Sequence, residues 1–388
     1  MKLCLFDGPN RSDFLPLAYT RPVADLFLGG MTLANRWSRV LDATVVVETE
    51  AYLQSATPAF DIAILASCLP NPSLLTALKN LESGQKILAD GQLIAFKGAT
   101  SSTDAALDNF GVVAVETTPV VLRYPWDLFS HNVQAVKDDA VFFKNTHKQV
   151  LDASNTQLGT DSVIVGKDVR AAAAVFNTAE GPIILDDGAT IMEGALLRGP
   201  LYIGKNVVVK MGTKMYGGSS LGPNTKVGGE LNNVIFIGNS NKGHDGFLGN
   251  AVVGEWCNLG AATDASNLKN DYGITRAWNY TQQTFIPTGL QFCGLIMGDH
   301  SKTAIQTALN TATVIGVGCN LFSVGFPRTF IPSFSRGGSQ GMAINRLEKV
   351  IQTAQLVMKR RNKSLEQQQE SVLKHIFAET KPYRTSLK

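Results

Sequence analysis

The sequence predicts an α/β domain, a parallel β-helix and a C-terminal helical segment, in that order along 388 residues. The clearest observation is an aliphatic residue or Met at every sixth position from Leu185 to Val227. Strand-like and helix-like runs alternate before this repeat, and helical periodicity follows it. We therefore expect domains at residues 1–150, 160–325 and 326–388.

The N-terminal segment alternates apolar runs (KLCLF, ATVVVE, DIAILAS, QKILAD, QLIAFKG) with helix-like stretches (GMTLANRWSRVL, PSLLTALKNL). This alternation is typical of an α/β layer domain. Ligands of such domains bind at the carboxyl ends of strands, so the loop after the first strand is the first candidate site. It contains Asp7, Gly8, Arg11 and Arg21. The residues alone leave open a plain surface turn with solvated arginines.

A period of six matches neither a strand, with a period of 2, nor a helix, with 3.6. Short strands joined by tight corners satisfy it, with one aliphatic residue of each hexad pointing inward. Gly, Asn and Asp between these residues tolerate the positive φ of the corners. The period loosens after Val227 and returns at Met297. We expect a β-helix over about 163–324, with insertions at 239–249 and 267–292 that form loops.

Helical periodicity in residues 344–376 predicts two C-terminal helices that pack on the β-helix or on a neighbouring subunit. The chain carries 35 basic and 32 acidic residues, a net charge of +3, and we therefore expect no nucleic-acid partner. Five cysteines without a CxxC spacing indicate a reducing cytoplasm and no zinc site. No signal segment or long apolar run is evident, so we expect neither secretion nor a membrane span.

The stretch from His244 to Asn267 resembles a bifunctional bacterial family, the N-acetylglucosamine-1-phosphate uridylyltransferases/glucosamine-1-phosphate N-acetyltransferases. That family carries an H-x-x-Y-x-G-D segment followed by N-I-G-A-G-T-x-x-x-N-Y-D-G. This chain reads H-D-G-F-L-G-N from His244 and N-L-G-A-A-T-D-A-S-N from Asn258. It departs from the family at Phe247, where the family has tyrosine, and at Asn232, where the family has a basic residue.

The resemblance implies a left-handed β-helix that assembles as a homotrimer and binds acyl-CoA or acetyl-CoA between neighbouring prisms. His244 would be the general base that takes a proton from the amine of a sugar. Asn267 would orient the sugar or its amine, and Glu230 would hold His244 or the sugar. The implied acyl-CoA-binding residues are Asn258, Ala261 and Thr307. The residues alone leave open that His244 only caps a glycine-rich loop.

The N-terminal pattern LPL..TRPVADL..G..TL...W and the segment YPWDLF (124–129) resemble a divergent, mostly bacterial sugar-nucleotidyltransferase family that joins a short α/β domain to such a β-helix. The C-terminal stretches GDHSKTAIQTALNTATVIGVGCNLF and PSFSRGG extend this resemblance over nearly the whole chain. The resemblance implies a nucleoside triphosphate and a sugar 1-phosphate as substrates, with Mg²⁺.

Relative to the classical motif G-x-G-T-R-M and its Pro-Lys pair, Arg11 would keep the role of the loop arginine. Leu17 replaces the lysine, and Arg21 would supply the missing cation. Ser67 and Cys68 stand where classical members carry the Mg²⁺-binding aspartate. The metal-holding acid is therefore left open among Asp7, Asp90 and Asp127.

The sequence thus predicts a cytoplasmic transferase that makes activated amino sugars for the cell envelope, with a nucleotidyltransferase-like domain and an acyltransferase-type β-helix. One alternative retains a single activity, such as glucose-1-phosphate thymidylyl transfer or acyl transfer alone. Another is a non-catalytic trimeric scaffold that binds nucleotides.

Overall fold

The structure, a computed structural model, describes residues 1–54, 56–146, 148–322 and 324–387. The chain forms two compact units. The first contains Met1–Phe14, Thr20–Leu26 and Met31–Tyr124. The second contains residues 15–19 and 27–30 and the described chain from Pro125 onward.

The elements as far as Tyr124 are, in chain order, β1 (Lys2–Phe6), β2 (Phe27–Leu28), β3 (Met31–Thr32), α1 (Leu33–Leu41), β4 (Thr44–Glu48), β5 (Ile62–Leu65), α2 (Pro72–Lys79), β6 (Gln85–Ala89), β7 (Gln92–Lys97) and β8 (Gly111–Val113). All the runs that the sequence predicts as strands or helices here have the predicted type. The caps are those that the residues dictate: the Thr32 side chain accepts from Asn35 N, and the Asn71 side chain accepts from Leu74 N.

The sheet of this unit is mixed, in the order β4-β1-β5-β7-β6-β8. Strand β1 pairs in parallel with β4 and β5, whereas β7 runs antiparallel to β5 and β6. All of β5, and β1 after its first residue, are buried, as continuous apolar runs require. The carboxyl ends of β1, β4 and β5 therefore meet at one edge of the sheet.

Helix α3 (Pro125–Lys144) begins the continuous part of the second unit. The solenoid strands follow: β9 (Thr156–Leu158), β10 (Val163–Val165), β11 (Arg170–Ala171), β12 (Val175–Asn177), β13 (Ile183–Leu185), β14 (Thr190–Ile191), β15 (Leu196–Arg198), β16 (Leu201–Ile203), β17 (Val208–Val209), β18 (Lys214–Tyr216), β19 (Ser219–Leu221), β20 (Lys226–Val227), β21 (Glu230–Phe236), β22 (Asn241–Lys242), β23 (Phe247–Val253), β24 (Asn258–Leu259), β25 (Asp264–Ala265), β26 (Arg276–Asn279), β27 (Thr284–Pro287), β28 (Ile296–Met297), β29 (Lys302–Thr303), β30 (Ala308–Leu309), β31 (Val314–Ile315), β32 (Asn320–Leu321), β33 (Phe330–Ile331), β34 (Ser335–Gly338) and β35 (Gly341–Ile344).

Apart from the hairpin strands β26 and β27 and the antiparallel end strand β35, these strands wind into a parallel coil with three flat faces. Ile183 pairs with Leu201 and Leu201 with Ser219, so one coil consumes three hexads. The second face runs through β14, β17 and β20, and the third through β12, β15 and β18. The eight residues of the hexad series from Leu185 to Val227 all lie in the buried core. The predicted fold class, an α/β segment followed by a β-helix and helices, is confirmed.

The expectation of an insertion at 239–249 is wrong. This segment contains β22 and the first part of β23, which continue the parallel ladders. The hexad signal disappears because Lys242 takes an inward position that aliphatic residues hold in other coils. The coil is also shorter, since Lys226 pairs with Asn241 rather than with a residue three hexads later.

The insertion at 267–292 is confirmed. Val252 pairs directly with Ile296, so the residues between β25 and β28 leave the coil. They contain an antiparallel hairpin of β26 and β27. The Cys293 N–H donates to the Asn267 carbonyl at 2.9 Å, which closes the base of the insertion.

The two predicted C-terminal helices are α4 (Leu347–Lys359) and α5 (Gln367–Glu379). Their buried residues follow helical spacing: Val350, Ala354 and Met358 on α4, and Val372, Leu373 and Ile376 on α5. Among the described residues, none of the helices combines the length and the apolar content that a bilayer span needs.

Candidate functional site

A cavity of about 630 Å³ lies at the carboxyl edge of the α/β sheet. Its walls are the loop after β1, the loop after β4, the β6–β7 turn and the segment around Ser102. Three of the four predicted nucleotide-binding residues, Asp7, Gly8 and Arg11, line it. The loop after the first strand, which the sequence predicted as a site, therefore lies in a concave part of the surface, as expected for this class of fold.

Gly8 is required by the local geometry of this loop. Its φ is +71°, a backbone region that side chains other than glycine rarely adopt. A Cβ there would lie 2.5 Å from Cδ1 of Leu65, at the end of β5. The loop can therefore turn tightly over the sheet edge and leave its backbone facing the cavity.

Asp7 organises the same loop through both of its carboxylate oxygens. Oδ1 accepts from the Val23 N–H at 2.7 Å, and Oδ2 accepts from the Thr49 hydroxyl. The Arg11 Nε lies 3.2 Å from Oδ2. Burial raises the pKa of Asp7 to about 6 and outweighs the Thr49 hydrogen bond and the Arg11 charge, which lower it.

Arg11 is the cation of the cavity wall, and its side chain is held on several sides. Nη2 donates to the Tyr52 hydroxyl at 2.7 Å, and the guanidinium lies 5.6 Å from the centre of the Tyr52 ring. Nη1 lies 3.8 Å from a carboxylate oxygen of Glu50, whose side chain is 55% exposed. A phosphate that approached Arg11 would therefore compete chiefly with Glu50, because Asp7 is buried.

Glu48 and Glu50 line the cavity and were missed by the sequence analysis. Glu48 accepts from the Ser102 N–H at 3.0 Å and from the Ser102 hydroxyl, which fastens the segment that forms one wall. The signal was available in the run VVVETE, since acidic residues end an apolar strand there. Only the pairing of β4 with β1 brings them to Asp7.

The remaining N-terminal candidates do not line this cavity. Arg21 is buried outside it. Leu17, the position of the family's lysine, is fully buried, so a side chain there points into a core. Ser67 and Cys68 are also buried, and the Cys68 carbonyl accepts from the Trp37 indole N–H at 2.9 Å.

His244 lies at the corner of the coil between β22 and β23, and its side chain is exposed. Ala261 occupies the same corner one coil further on, because Asn241 pairs with Asn258 and Leu248 with Ala265. The structure therefore stacks Ala261 on His244 at one edge of the prism, and Asn258 lies in β24, the strand that leads to this edge. We call this edge the His244 corner.

Thr307 lies one coil beyond Ala261 on this corner, and its hydroxyl donates to the Ala304 carbonyl at 2.8 Å. Thr213 and Thr313 make the same type of bond to carbonyls three residues earlier, and all three threonines are buried. This repeated bond has a structural role in closing corners. A contact of Thr307 with acyl-CoA stays a prediction.

Glu230 begins β21 and pairs with Phe247 of the next coil. Phe247 closely follows His244 along the chain, so Glu230 lies near the His244 corner. Asn267 lies at the other end of this flat face, where its Nδ2 donates to Asn250 Oδ1 at 2.8 Å. Asn233 and Asn250 hold equivalent corner positions in successive coils with positive φ. Asn267 thus continues a stack of asparagines, and its predicted role toward the sugar amine stays a prediction.

The cavity lies within a segment that matches a known family. The matching model is described as sugar nucleotidyl transferase. Residues 3–148 match this family. The resemblance predicted from the N-terminal motif is thereby confirmed. The matched residues include Asp7, Gly8, Arg11 and both glutamates of the cavity.

A curated relative resembles the chain as well. The bifunctional protein GlmU of Methanocaldococcus jannaschii is 25% identical over 206 residues, which are 50% of this chain and 41% of the relative. The chain therefore spans about two fifths of the length of that relative.

Two solved structures are similar to this chain. The UDP-N-acetylglucosamine acyltransferase from Campylobacter jejuni has a TM-score of 0.29 at 12% identity, covering 61% of this chain and 84% of that chain. The Arabidopsis UDP-N-acetylglucosamine acyltransferase has a TM-score of 0.24 at 12% identity, covering 55% and 80%. Both TM-scores are below 0.5, so the fold assignment rests on the strand pairing itself.

The cavity near Asp7 offers little free carboxylate for a metal. The oxygens of Asp7 and Glu48 accept hydrogen bonds from protein groups, which leaves Glu50 as the more available acid. Across the described ranges, no cluster of three or more His, Cys, Asp or Glu is arranged to hold an ion. Mg²⁺ commonly binds through one or two carboxylates together with substrate phosphates, and Glu50 fits that mode.

Lys242 is a third residue that the sequence analysis missed. Its side chain is 1% exposed, and it pairs with the inward-facing Val227 of the preceding coil. Its Nζ donates to the carbonyls of Gly228 at 3.1 Å and His244 at 3.0 Å. Burial lowers its pKa to about 8. From inside the coil, the ammonium therefore stabilises the backbone of the His244 corner through these hydrogen bonds.

Replacing Lys242 by Met is expected to change the pH dependence of stability. The folded pKa of about 8 lies below the ordinary 10.5, so the unfolded chain binds more protons between these values. The wild type therefore gains stability as pH rises through this window. Relative to Lys242→Met, its free energy of unfolding should rise by about 2 kcal/mol between about pH 7 and about pH 9.5.

Urea unfolding of both proteins across this pH range measures the difference. Lys226→Met is the matched control, because Lys226 is exposed at the outward position of the adjacent strand β20. Parallel stability curves for the wild type and Lys242→Met would contradict the assignment of a buried, titrating ammonium.

Proposed function

We propose that the N-terminal segment transfers a nucleotidyl group from a nucleoside triphosphate to a sugar 1-phosphate. The observation that carries this proposal is the coincidence of the family match over residues 3–148 with the cavity that contains Asp7, Gly8 and Arg11. In this reaction an oxygen of the sugar phosphate attacks the α-phosphorus, and pyrophosphate leaves. Arg11 would offset the charge that develops on the phosphates.

Mg²⁺, when bound with the nucleotide, would neutralise phosphate charge, and Glu50 would hold it. Asp7 and Glu48 have a different role. Asp7 positions Arg11, and Glu48 positions the segment around Ser102 that forms one wall of the cavity. The acidic character of the wall favours a nucleotide that arrives with its cation over a bare triphosphate.

We further propose acyl transfer at the His244 corner, from an acyl-CoA such as acetyl-CoA to the amine of a sugar. The family-like spacing of His244, Asn258 and Ala261, and their location in adjacent coils at or next to one edge, support it. His244 would take the proton as the amine attacks the thioester carbonyl, and the thiol of CoA leaves. Glu230, Asn267 and Thr307 are the supporting residues of this proposal.

A homotrimer would place one prism against the acyl-CoA groove of the next. A cytoplasmic location agrees with the five free cysteines, which are all buried and all within the described residues. The expected product is an activated amino sugar for cell-envelope polysaccharide. The alternatives are a chain with one of the two activities and a trimeric nucleotide-binding scaffold without catalysis.

A thermal-shift panel separates these possibilities. The full chain is tested with nucleoside triphosphates plus Mg²⁺, with UDP- and dTDP-sugars, and with acetyl-CoA. A ligand at about 100 times its Kd stabilises by about 2.7 kcal/mol. A nucleotide shift together with pyrophosphate release supports transfer, whereas a nucleotide shift without turnover indicates the scaffold. No shift with any nucleotide or nucleotide sugar would contradict the proposal.

A further inference from the structure

A second cavity, of about 280 Å³, lies near the C-terminal end of the coil. It is bounded by β29, β32 and β34 on one side and by the beginning of α4 on the other. Four cationic side chains line it: Lys302, Arg336, Arg346 and Lys349. None of these lines the cavity near Asp7; Lys302 pairs with Asn258 beside the His244 corner, and the other three cations are not part of that corner.

The charge of this cavity is not balanced from within. No carboxylate lines it; Glu348 follows Arg346 along α4 but is not part of its wall. Within the part of the chain that the structure describes, none of the four cations forms an ion pair. Like charges confined to a concave surface raise its potential and attract anions.

The contacts that these cations do make are with neutral groups. Lys302 Nζ donates to the His300 carbonyl at 2.9 Å, and Lys349 Nζ donates to Gln352 Oε1 at 3.2 Å. The Arg336 guanidinium lies 5.7 Å from the centre of the Phe322 ring. Burial lowers the pKa of Lys302, a cost that a bound anion would offset.

Helix α4 adds a further positive element, since its N-terminus begins at the wall of this cavity. The N-cap is Arg346, whose side chain makes no capping hydrogen bond. The first backbone N–H groups of a helix lack intrahelical acceptors and form the positive end of its dipole. The Asn345 side chain donates to the Gly318 carbonyl at 2.9 Å, which fixes this end of the helix to the coil.

We propose that this cavity binds the phosphate or diphosphate group of a small anionic ligand. Guanidinium groups pair with phosphate oxygens through two parallel hydrogen bonds, and Lys302 and Lys349 add point charges. The volume suits one or two phosphate groups, with the rest of a larger ligand outside. This site is additional to the two proposed for group transfer.

Calorimetric titration of the full chain with pyrophosphate in EDTA tests the proposal. We expect Arg336→Gln/Lys349→Gln, which changes two exposed side chains, to weaken binding by at least about tenfold. Arg170→Gln/Lys214→Gln is the matched control, because both residues are exposed on the coil outside this cavity. It should bind like the wild type.

The variant Arg11→Met separates this site from the proposed nucleotide site. Binding that persists in Arg11→Met and is lost in Arg336→Gln/Lys349→Gln supports the proposal, even if nucleotidyl transfer is never detected. No binding of pyrophosphate at millimolar concentration, or equal binding in wild type and Arg336→Gln/Lys349→Gln, overturns it.

Competition distinguishes the two sources of the phosphate group. If coenzyme A or a nucleoside triphosphate displaces pyrophosphate at lower concentration than inorganic phosphate does, the site serves a phosphate carried by a larger ligand. If inorganic anions compete best, it serves free phosphate. Affinity should fall with ionic strength in both cases.

Discussion

Replacing His244 by Gln is expected to lower the rate of thiol release from acetyl-CoA, with an amino sugar as acceptor, by about 10²- to 10⁴-fold. Glutamine keeps the size and polarity of the side chain but cannot take up a proton. Because His244 is exposed at a corner whose backbone Lys242 holds, the fold should be unaffected. The effect should fall on kcat more than on KM, since the role proposed for the imidazole is in the chemical step.

The control is His375→Gln, which changes an exposed histidine on α5 that pairs with Glu379 at 3.2 Å. It should retain the wild-type rate. Thiol release that is equal in wild type and His244→Gln would eliminate His244 as the general base, and the corner would then have only a structural role.

Replacing Arg11 by Met is expected to lower pyrophosphate release by about 10²- to 10³-fold. The substitution removes the cation of the cavity wall and leaves Asp7 and Glu50 without their partner. Without the Arg11 charge, the pKa of Asp7 should rise above its present value of about 6. Asp7 would then keep its proton to a higher pH than in the wild type, and the pH profile of nucleotide binding should shift upward.

Arg11→Lys tests whether charge alone is sufficient. It should recover part of the rate, because lysine supplies a positive charge but not the paired donors of a guanidinium. Arg39→Met, on the exposed side of α1, is the control for loss of an arginine from this unit. Unchanged pyrophosphate release and an unchanged pH profile in Arg11→Met would show that the loop is not the phosphate site.

Several features of the site followed from the sequence because they depend on local chemistry. The turn at Asp7 and Gly8 follows a buried apolar strand, and the carboxyl end of such a strand is where ligands of α/β sheets bind. The hexad series set the phase of the coil from Leu185 to Val227, and each residue of that series is buried as expected. Motif spacing also singled out His244 and Ala261, but it assigned His244 to an insertion, and the strand pairing places both residues at one corner.

Other features could not be read from the chain. Glu48 reaches Asp7 only because β4 is the neighbour of β1, and strand order depends on the whole sheet. Arg21 lies near Arg11 in sequence, yet the intervening turns bury it outside the cavity. The second cavity, which four cationic side chains line, combines residues from three coils and a helix. No local sequence pattern connects Lys302 with Lys349.

The order of the segments, the coil and its inward residues followed from the residues alone, since apolar spacing dictates which side chains leave water. That 239–249 belongs to the coil became evident only from the strand pairing. A lysine can hold an inward position when backbone carbonyls accept its hydrogen bonds, and hydrophobic spacing does not detect this. The tertiary structure also decided which charges share a cavity, because electrostatic neighbours are set by strand order and by packing rather than by distance along the chain.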